Sequence, residues 1–459
     1  MLLNSTLFKY HKVPILFILL SVLFYGSFAY DLVRTDITKL LLLYFGLFVF
    51  AFQLIKTTGF NFRLLVVASI LFRLVFLVAT PNLSQDFYRF IWDGQMFSVG
   101  FSPYLTTPDY RMELGIMSNF PNQVELYNGM GSLSSSHFTN YPPINQLCFY
   151  LGNLFPGQSI LSSVIGMRLI IISADIGILY FGKKLLEHLK LPSSRIWWYM
   201  LNPFIIIELT GNLHFEGVML FFLIWSLYLL HKGKWKWAAV LLGCSVSVKL
   251  IPLMFLPLFF WWFLRKENIT QGLKNLTLFY FIVIGTVLLL FVPFFSLEFV
   301  NNYSETVGLW FSNFEFNASI YYIAREIGYS ITGYNEIATI SKILPVITIL
   351  FILGFSFLRK NTDLKSLITS ILLVLCIYLF LSTTVHPWYI ATLVLLCVFT
   401  DYRFPLVWSA VIILSYLAYT NDNNSENLWI IGLEYLIVFS AFIWEVFFGN
   451  RIFKNQVSI

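Results

Sequence analysis

Charged residues are scarce in this chain. Only 11% of its 459 residues are Asp, Glu, Lys or Arg, against roughly a quarter in a typical soluble domain. So few charges cannot cover a water-exposed surface, which excludes a cytosolic globular enzyme and a disordered chain. Cysteine is scarce as well, with four copies and no Cys-x-x-Cys pair, so a secreted disulfide scaffold is also excluded. The sequence further lacks a P-loop and a Gly-x-Gly-x-x-Gly motif.

Hydrophobic residues are abundant instead. They make up 58% of the chain, and Phe alone has 49 copies beside 25 Tyr and 13 Trp. The mean hydropathy is +0.77. This composition predicts an all-α polytopic membrane protein, whose aromatic side chains pack helix faces and lie at the headgroup level. The formal net charge of +6 belongs mostly to loop residues that set orientation, so no nucleic-acid partner is predicted.

Apolar runs near the ~20 residues that cross a bilayer core recur along the chain. They are 13–30, 37–55, 62–80, 159–182, 196–211, 215–231, 237–264, 276–296, 337–358, 366–383, 387–400, 405–420 and 427–448. Lys249 and Pro252 break the run 237–264, which therefore predicts two short helices. The expected total is about 12–14 transmembrane segments. The first run is long for a signal peptide, which favours a retained helix over a cleaved leader.

Basic residues occupy alternate gaps between these runs. Those on one side are Lys9, Lys12, Lys56, Arg63, Lys183, Lys184, Lys190, Arg195, Lys232, Lys234, Lys236, Arg265, Lys266, Lys274, Arg359, Lys360, Lys365, Arg403, Arg451 and Lys454. By the positive-inside rule this side is predicted to be cytoplasmic, and both termini are predicted to lie on it. The long gaps 81–158 and 297–336 then lie on the outer side, where a loop as long as the first is usually functional.

A first group of polar residues opens the gap 81–158. Asp86, Arg89 and Asp93 have the spacing i, i+3 and i+7, so a helix would place them along one face. A carboxylate in this place can accept a proton from an incoming hydroxyl group. The same spacing is typical of a surface helix with internal salt bridges, and the pattern alone favours neither interpretation.

A second group lies at a junction of two outer helix ends. Glu208 is set in an otherwise apolar run, and His214 and Glu216 follow it. Ionisable groups inside a membrane are costly and usually face a cavity. With Asp86 and Asp93 these residues include metal-ligand types, but their spacing matches no known ligand signature. We therefore predict no metal and no other cofactor, and a hydrogen-bonded turn is the alternative interpretation of His214 and Glu216.

Lys249 is a single cation among apolar residues, next to the predicted helix break at Pro252. A cation in this setting is costly to insert into a membrane. Two interpretations stay open. The side chain either extends to the headgroup level or neutralises a phosphate group.

Two further outer segments combine aromatic and polar residues. His386 begins an outer helix, where it can contact a phosphate or a sugar hydroxyl, while Trp388 and Tyr389 fit an interfacial aromatic belt. Asn317 lies among aromatic residues in the gap 297–336. Such a mixture suits a carbohydrate, whose C–H faces stack on rings, and equally an amphipathic helix on the membrane surface.

Taken in order, these motifs resemble those of bacterial GT-C glycosyltransferases of the polyprenyl-phosphate-mannose-dependent mannosyltransferase-like group. The opening, Asp86-Phe-Tyr88-Arg89-Phe-Ile-Trp92-Asp93-Gly94 with Gly100-Phe-Ser-Pro103-Tyr104, is similar to the group's DxYRYxWDG…GxNPY pattern. The later motifs are Tyr141-Pro-Pro, Asn202-Pro203, Gly211-Asn-Leu-His214-Phe-Glu216, Ser247-Val-Lys249-Leu-Ile-Pro252, Phe316-Asn317-Ala-Ser-Ile-Tyr321 and His386-Pro-Trp-Tyr389. The resemblance spans roughly 62–400, and Glu216 stands where the group usually has Asp.

The resemblance implies a membrane-embedded transferase that moves a hexose such as mannose from a polyprenyl-phosphate donor to an acceptor hydroxyl, with inversion. It implies Asp86 as the catalytic base. Cations or hydrogen-bond donors must then stabilise the leaving phosphate, and the candidates are Arg89, Lys249 and His386. The candidates for contacts with the sugar or the acceptor are Tyr88, Asp93, His214, Glu216 and Asn317. Trp92, Trp388 and Tyr389 are candidates for packing against the lipid chain or the sugar.

Three domains and a location follow from this interpretation. Residues 1–60 form two helices of unknown role, 61–400 the catalytic core with the outer loop 81–158, and 401–459 the C-terminal helices. We expect a multi-pass protein of the cell (inner) membrane with an extracytoplasmic active site. Its expected partners are the bilayer, the lipid-linked donor and a glycan, glycolipid or protein acceptor.

Two other functions remain as alternatives. A transporter or flippase for a lipid-linked or anionic solute would explain the buried charges of Glu208 and Lys249, but it does not need a long outer loop with paired acids. An oligosaccharide polymerase or ligase uses related chemistry, but such proteins usually have their large loop late in the chain. A scaffold protein would not need intramembrane charges.

Overall fold

The computed structural model describes residues 5–59, 61–115, 121–264, 268–312, 314–421, 423 and 425–449. Arg265, Lys266, Arg451 and Lys454 of the predicted cytoplasmic charge pattern lie outside these residues. The α-helices are α1 Ser5–Asp31, α2 Ile37–Thr58, α3 Phe62–Val75, α4 Asp86–Ser98, α5 Pro108–Glu113, α6 Gln123–Ser135, α7 Pro143–Asn153, α8 Ile160–His188, α9 Trp197–Met200, α10 Pro203–Ile205, α11 Glu216–His231, α12 Trp235–Val246, α13 Phe260–Leu264, α14 Ile269–Phe291, α15 Leu297–Ser312, α16 Ile320–Thr332, α17 Ile337–Phe357, α18 Leu364–Leu381, α19 Ala391–Cys397, α20 Phe404–Val411 and α21 Leu428–Ile443.

Shorter helical pieces connect several of these elements. They are the 3-10 turns Ser193–Ile196, Ile251–Phe259, Val292–Phe294, Pro387–Ile390 and Ile412–Thr420, and the π-helical turns Ile206–Gly211 and Trp444–Phe448. Within the described part of the chain there is no β-strand, only an isolated bridge between Phe316 and Thr384. The prediction of an all-α polytopic membrane protein is therefore confirmed.

Seven helices in the described ranges are long and apolar enough to cross a membrane, or up to eight if one bent pair counts as a span. The predicted 12–14 segments exceed this number because several apolar runs fold as shorter pieces. The run 237–264 divides into Trp235–Val246 and Ile251–Leu264, as expected from its break. Pro387–Cys397 and Phe404–Thr420 are likewise short.

The bent pair consists of Pro203–Gly211 and Glu216–His231, which meet at an angle of 115°. Asn202 caps its first piece by accepting a hydrogen bond from the Phe204 amide at 3.0 Å, and Pro203 suits the first turn. Leu213 adopts a φ of 63° at the bend. This left-handed backbone costs about 1 kcal/mol for a residue with a Cβ, so surrounding contacts must hold the bend in place.

The gap 81–158 folds as a helical layer that packs on α8. Gly94 of α4 lies so close to α7 that a Cβ would stand 2.6 Å from the Phe149 carbonyl oxygen. Phe90 stacks on Phe149 with a ring distance of 4.6 Å. Gly152 of α7 makes a similar close approach to Met167 of α8. The layer is therefore a rigid support for Asp86.

The hairpin of α1 and α2 packs against the predicted core. Tyr25 contacts Phe72 of α3 at a ring distance of 5.2 Å, and the Tyr44 hydroxyl donates to the Ser409 carbonyl at 2.6 Å. The Asn82 side chain, four residues before Asp86, donates to the Phe28 carbonyl at 2.7 Å. These contacts bring the N-terminal helices beside the segment that carries Asp86.

Candidate active site

Asp86 is the first residue of α4, where the positive end of the helix dipole favours an anion. Its amide donates to the Ser84 hydroxyl at 3.3 Å, and its side chain is half-buried. Burial raises the pKa of the Asp86 carboxyl group to about 6, while Lys249 lowers it and Glu216 raises it. The group is therefore mostly ionised at neutral pH and more basic than an exposed aspartate, as a general base requires.

Glu216 and Lys249 form an ion pair beside Asp86. The Lys249 Nζ lies 3.1 Å from Glu216 Oε1, and 5.2 Å from the ring centre of Tyr141. Glu216 begins α11 directly after the bend and is 1% exposed. Neither of its carboxylate oxygens has a hydrogen bond of normal geometry. We call Asp86, Glu216 and Lys249 the carboxylate–lysine cluster.

A column of stacked rings lies next to this cluster. His214 stacks on Trp388 at a ring distance of 3.7 Å, and Trp388 stacks on His386 at 4.6 Å. Phe316 covers the other face of His386 at 5.3 Å. Because neighbouring rings cover both faces of Trp388 and of His386, these two residues offer a ligand their edges and ring nitrogens. Trp388 therefore has no free ring face for the predicted packing against a sugar in this arrangement. Its predicted role stays a prediction.

The protonation of His386 decides what it can offer a phosphate. Burial and, to a smaller extent, the charge of Lys249 together lower the pKa of its imidazole to about 3. His386 is thus neutral at pH 7 and can donate one N–H bond without adding positive charge. His214 Nε2 is buried without a hydrogen-bond partner, 3.8 Å from Glu208.

Arg89 and Asp93 are engaged within the protein. Arg89 Nε donates to Asp93 Oδ1 at 2.7 Å, and its Nη1 donates to the His137 carbonyl at 3.0 Å. Asp93 Oδ2 accepts a bond from Gln146 at 3.1 Å. Both side chains are buried, so the interpretation as a surface helix is wrong although its salt bridge exists. Only Arg89 Nη2 lacks a partner. The contacts favour a supporting role, and the predicted ligand roles stay predictions.

Asn317 is also fully enclosed. Its amide donates to Glu426 at 2.6 Å, its side chain to Glu434 at 3.2 Å, and its carbonyl accepts from Tyr435 at 2.7 Å. The residue has a φ of 46° and is 0% exposed. It anchors the loop that carries Phe316 to α21, so the structure does not place its side chain on an open surface. Its predicted contact with the sugar stays a prediction.

The remaining aromatic candidates divide by exposure. Tyr88 is half-buried and its ring lies against Gly129 of α6, while Trp92 is 1% exposed within the packed layer. Tyr389 meets His386 edge-on at a ring distance of 5.5 Å. Of these, only Tyr389 lies next to the ring column.

An apolar groove of about 440 Å³ begins where the cluster ends. Leu250 and Ile251, which directly follow Lys249, form one wall, and Thr383 lies on another, three residues before His386. The third wall is α17, whose lining residue Ile349 is 53% exposed. The groove thus lies between residues that directly follow Lys249 and a helix that is long and apolar enough to cross a membrane.

Metal-ligand residues do not converge at this site. Across the described ranges, no group of three or more His, Cys, Asp or Glu side chains could hold a metal ion. In the set considered from the sequence, Asp93 is bonded to Arg89 and Gln146 instead. The expectation that no cofactor is needed stays a prediction.

Sequence reasoning missed Arg34, which lies between α1 and α2. Its Nη1 donates to the Leu83 carbonyl at 3.2 Å, three residues before Asp86, and its guanidinium lies 4.1 Å above the Tyr419 ring. A signal existed, since an arginine in an outer gap runs against the positive-inside pattern.

The fold and the cluster define an all-α polytopic membrane protein with ionisable groups at the end of an apolar groove. Residues 20–265, more than half of the chain, match the family model described as alpha-(1->6)-mannopyranosyltransferase, N-terminal domain. The chain therefore belongs to this family, and the resemblance to GT-C mannosyltransferases is confirmed. The matched segment begins inside α1, so it includes α2 as well as Asp86, Glu216 and Lys249.

Two relatives are similar at low identity. Alpha-(1->6)-mannopyranosyltransferase A of Mycobacterium tuberculosis is 22% identical over 221 residues, which cover 48% of this chain and 40% of that protein. Alpha-(1->6)-mannopyranosyltransferase A of Corynebacterium glutamicum is 24% identical over 190 residues, which cover 40% of this chain and 35% of that protein. The match thus spans well under half the length of each relative.

Proposed function

We propose that this protein is a membrane-embedded mannosyltransferase that uses a polyprenyl-phosphate mannose donor and acts on an acceptor hydroxyl at the outer face. The observation that carries the proposal is the half-buried Asp86 carboxylate beside Lys249, at the end of an apolar groove, in a chain of this family.

Asp86 acts as the general base in the proposed reaction. The acceptor oxygen attacks the anomeric carbon of the donor sugar while its proton moves to an Asp86 carboxylate oxygen. The bond between the anomeric carbon and the phosphate oxygen breaks, and the electron pair leaves with the lipid phosphate. Attack opposite to the leaving group inverts the anomeric centre. The pKa of about 6 allows Asp86 to be ionised before the reaction and still to accept the proton.

Lys249 stabilises the leaving phosphate in this scheme. Its ammonium group is 3.1 Å from Glu216 without a ligand, so an arriving phosphate competes with that carboxylate. Once Lys249 turns to the phosphate, Glu216 is free to accept hydrogen bonds from sugar hydroxyls. Neutral His386 supplies an N–H donor rather than a second charge.

The groove suits the lipid part of such a donor. A polyprenyl chain is apolar and can enter from the membrane along α17, while its phosphate stops at Lys249. The groove has Leu, Ile, Met and Pro on its walls with few polar atoms. A soluble nucleotide-sugar donor would have no use for such a surface.

The contacts of the buried charges weaken the transporter alternative. Glu208 accepts the Tyr416 hydroxyl bond at 2.9 Å, and Lys249 pairs with Glu216. Both charges therefore have protein partners, and neither requires a transported solute to explain its burial.

The test is a transfer assay on the full chain in lipid nanodiscs. Radiolabelled polyprenyl-phosphate mannose and mannosylated acceptors are supplied to the wild type, to Asp86→Asn and to Asp109→Asn. Asp109 is a matched control because it lies in the same outer layer and accepts the Tyr127 hydroxyl bond at 3.0 Å. We expect Asp86→Asn to lower turnover about 10²- to 10⁴-fold and Asp109→Asn to leave it nearly unchanged.

Two outcomes would contradict the proposal. If Asp86→Asn kept more than about a tenth of the activity, Asp86 would not be the base. If the wild type moved no label while a reference enzyme consumed the same donor, the transferase assignment itself would be wrong.

A further inference from the structure

The two segments that carry the site's carboxylates lie on either side of one buried arginine. Arg168 of α8 is 0% exposed. Its guanidinium donates to four backbone carbonyl groups: from Nε to Thr210 at 2.8 Å, from Nη2 to Gly211 at 2.8 Å, and from Nη1 to Leu77 at 3.0 Å and to Ala79 at 2.7 Å.

These carbonyl groups belong to two different parts of the chain. Thr210 and Gly211 end the π-helical turn just before the bend that leads to Glu216. Leu77 and Ala79 follow α3 and precede Asp86 by several residues. A second bond joins the same two segments, since the Leu83 amide donates to Asn212 Oδ1 at 3.2 Å.

We propose that Arg168 is a positioning residue that fixes Asp86 relative to Glu216 and Lys249, an inference that rests on the proposed function. The planar guanidinium fork reaches both pairs of carbonyl groups at once, whereas a lysine ammonium is a point that cannot span them. Its charge also offsets the negative ends of two helical segments. A buried arginine in a membrane-spanning helix is costly, so the use of four of its five N–H donors on these two segments is a specific arrangement.

Arg73 provides a matched control within the same bundle. It is equally buried, at 1% exposure, and also uses its fork, donating to Asp175 at 2.6 Å and to the Met200 carbonyl at 2.8 Å. Asp175 lies two helical turns along α8 from Arg168. Arg73 therefore fastens α3 and α8 without holding the segment before Glu216.

The experiment compares Arg168→Lys, Arg73→Lys and Asn212→Ala in nanodiscs. Hydrogen exchange is measured for peptides covering 76–86 and 206–215, together with kcat, donor KM and the pH profile of transfer. We expect Arg168→Lys to speed exchange in both segments together and to lower kcat at least about tenfold, because misplacement by about 1 Å costs that much or more. Donor KM should stay within about twofold, since Lys249 and the groove are intact.

A structural role alone would give a different pattern. Arg73→Lys should lower the yield of folded protein without moving the acid limb of the pH profile, whereas Arg168→Lys should shift that limb because the surroundings of Asp86 change. Asn212→Ala is the milder variant if Arg168→Lys does not fold, and it should loosen the same two segments.

Unchanged exchange in 76–86 and 206–215 would overturn the proposal, as would equal losses of kcat per folded molecule in Arg168→Lys and Arg73→Lys. A wild type without transfer activity would instead overturn the proposed function, and the exchange data alone would then decide whether Arg168 links the two segments.

Discussion

Glu216 and Glu315 show how differently two regions of this molecule use a carboxylate. Glu315, in the segment after α15, accepts hydrogen bonds from Tyr321 at 2.6 Å, Arg325 at 2.6 Å and Asn335 at 2.7 Å. Burial raises the pKa of Glu315, but these donors outweigh it and lower the pKa below the ordinary value. Glu216 is more deeply buried, has one ion pair with Lys249 and has no hydrogen bond.

The difference in hydrogen bonding distinguishes a carboxylate that stabilises the fold from one that can bind a ligand. A carboxylate with all its lone pairs occupied has nothing left for a ligand, and removing it loosens the fold. A buried carboxylate with empty lone pairs is destabilising unless a ligand completes it. We therefore propose that Glu315 stabilises its loop and that Glu216 contacts the substrate, and the following predictions test that difference.

Among the variants that test this comparison, the largest effect is expected at Lys249. Lys249→Met removes the cation that faces the leaving phosphate and should lower kcat/KM for the donor about 10²- to 10³-fold, the usual cost of one lost donor at a developing anion. Lys249→Arg keeps the charge and should recover part of the activity. Steady-state transfer kinetics measure both. A Lys249→Met variant with normal donor use would show that this side chain only extends to the headgroup level.

Glu216→Gln should lower activity more than stability, and Glu315→Gln should lower stability more than activity. Glu216→Gln removes a buried charge and its ion pair with the partly exposed Lys249 but loses no hydrogen bond, so thermal stability should change little while kcat/KM falls about tenfold or more. Glu315→Gln weakens three bonds and should cost about 1–3 kcal/mol of unfolding free energy, with activity per folded molecule kept. Thermal unfolding and transfer assays on both variants measure these effects. Equal effects on stability and on activity in the two variants would contradict the proposed difference between Glu216 and Glu315.

The pH dependence of transfer should follow Asp86. Its pKa of about 6 means that the active, ionised form dominates above that value and is lost below it. For a single protonation, kcat/KM at pH 5 should be about a tenth of its plateau value. Asp86→Asn should have a flat residual profile over this range. An acid limb that stays in Asp86→Asn would place the titrating group elsewhere.

Much of the fold could be predicted from the sequence, because lipid demands long apolar helices and those runs are visible. The division of the run 237–264 into two helices could be predicted as well, because Lys249 and Pro252 interrupt its apolar residues. The number of spans was not, because an apolar run can be a short or bent helix buried inside the bundle, such as Ile251–Leu264.

The candidate site residues could be named from the sequence, but their contacts with one another could not. The motif spacing brought Asp86, Glu216 and Lys249 to attention as separate groups, and only the bend at Leu213 makes them neighbours. The sequence could not distinguish Arg89, which bonds Asp93 and backbone carbonyls, from a free cation. Residue type fixes charge, but tertiary contacts decide which charges remain available to a ligand.

The smallest expected effect concerns the N-terminal hairpin. Arg34→Ala removes the bond to the Leu83 carbonyl and the contact with Tyr419, so the segment before Asp86 loses one of its supports. One such bond is worth about 1 kcal/mol, which predicts a roughly fivefold lower kcat with little change in donor KM. Lys39→Ala is the control, since Lys39 pairs with Asp31 on the same hairpin away from Leu83. If Arg34→Ala and Lys39→Ala were equally active, Arg34 would support the bundle without acting on the site.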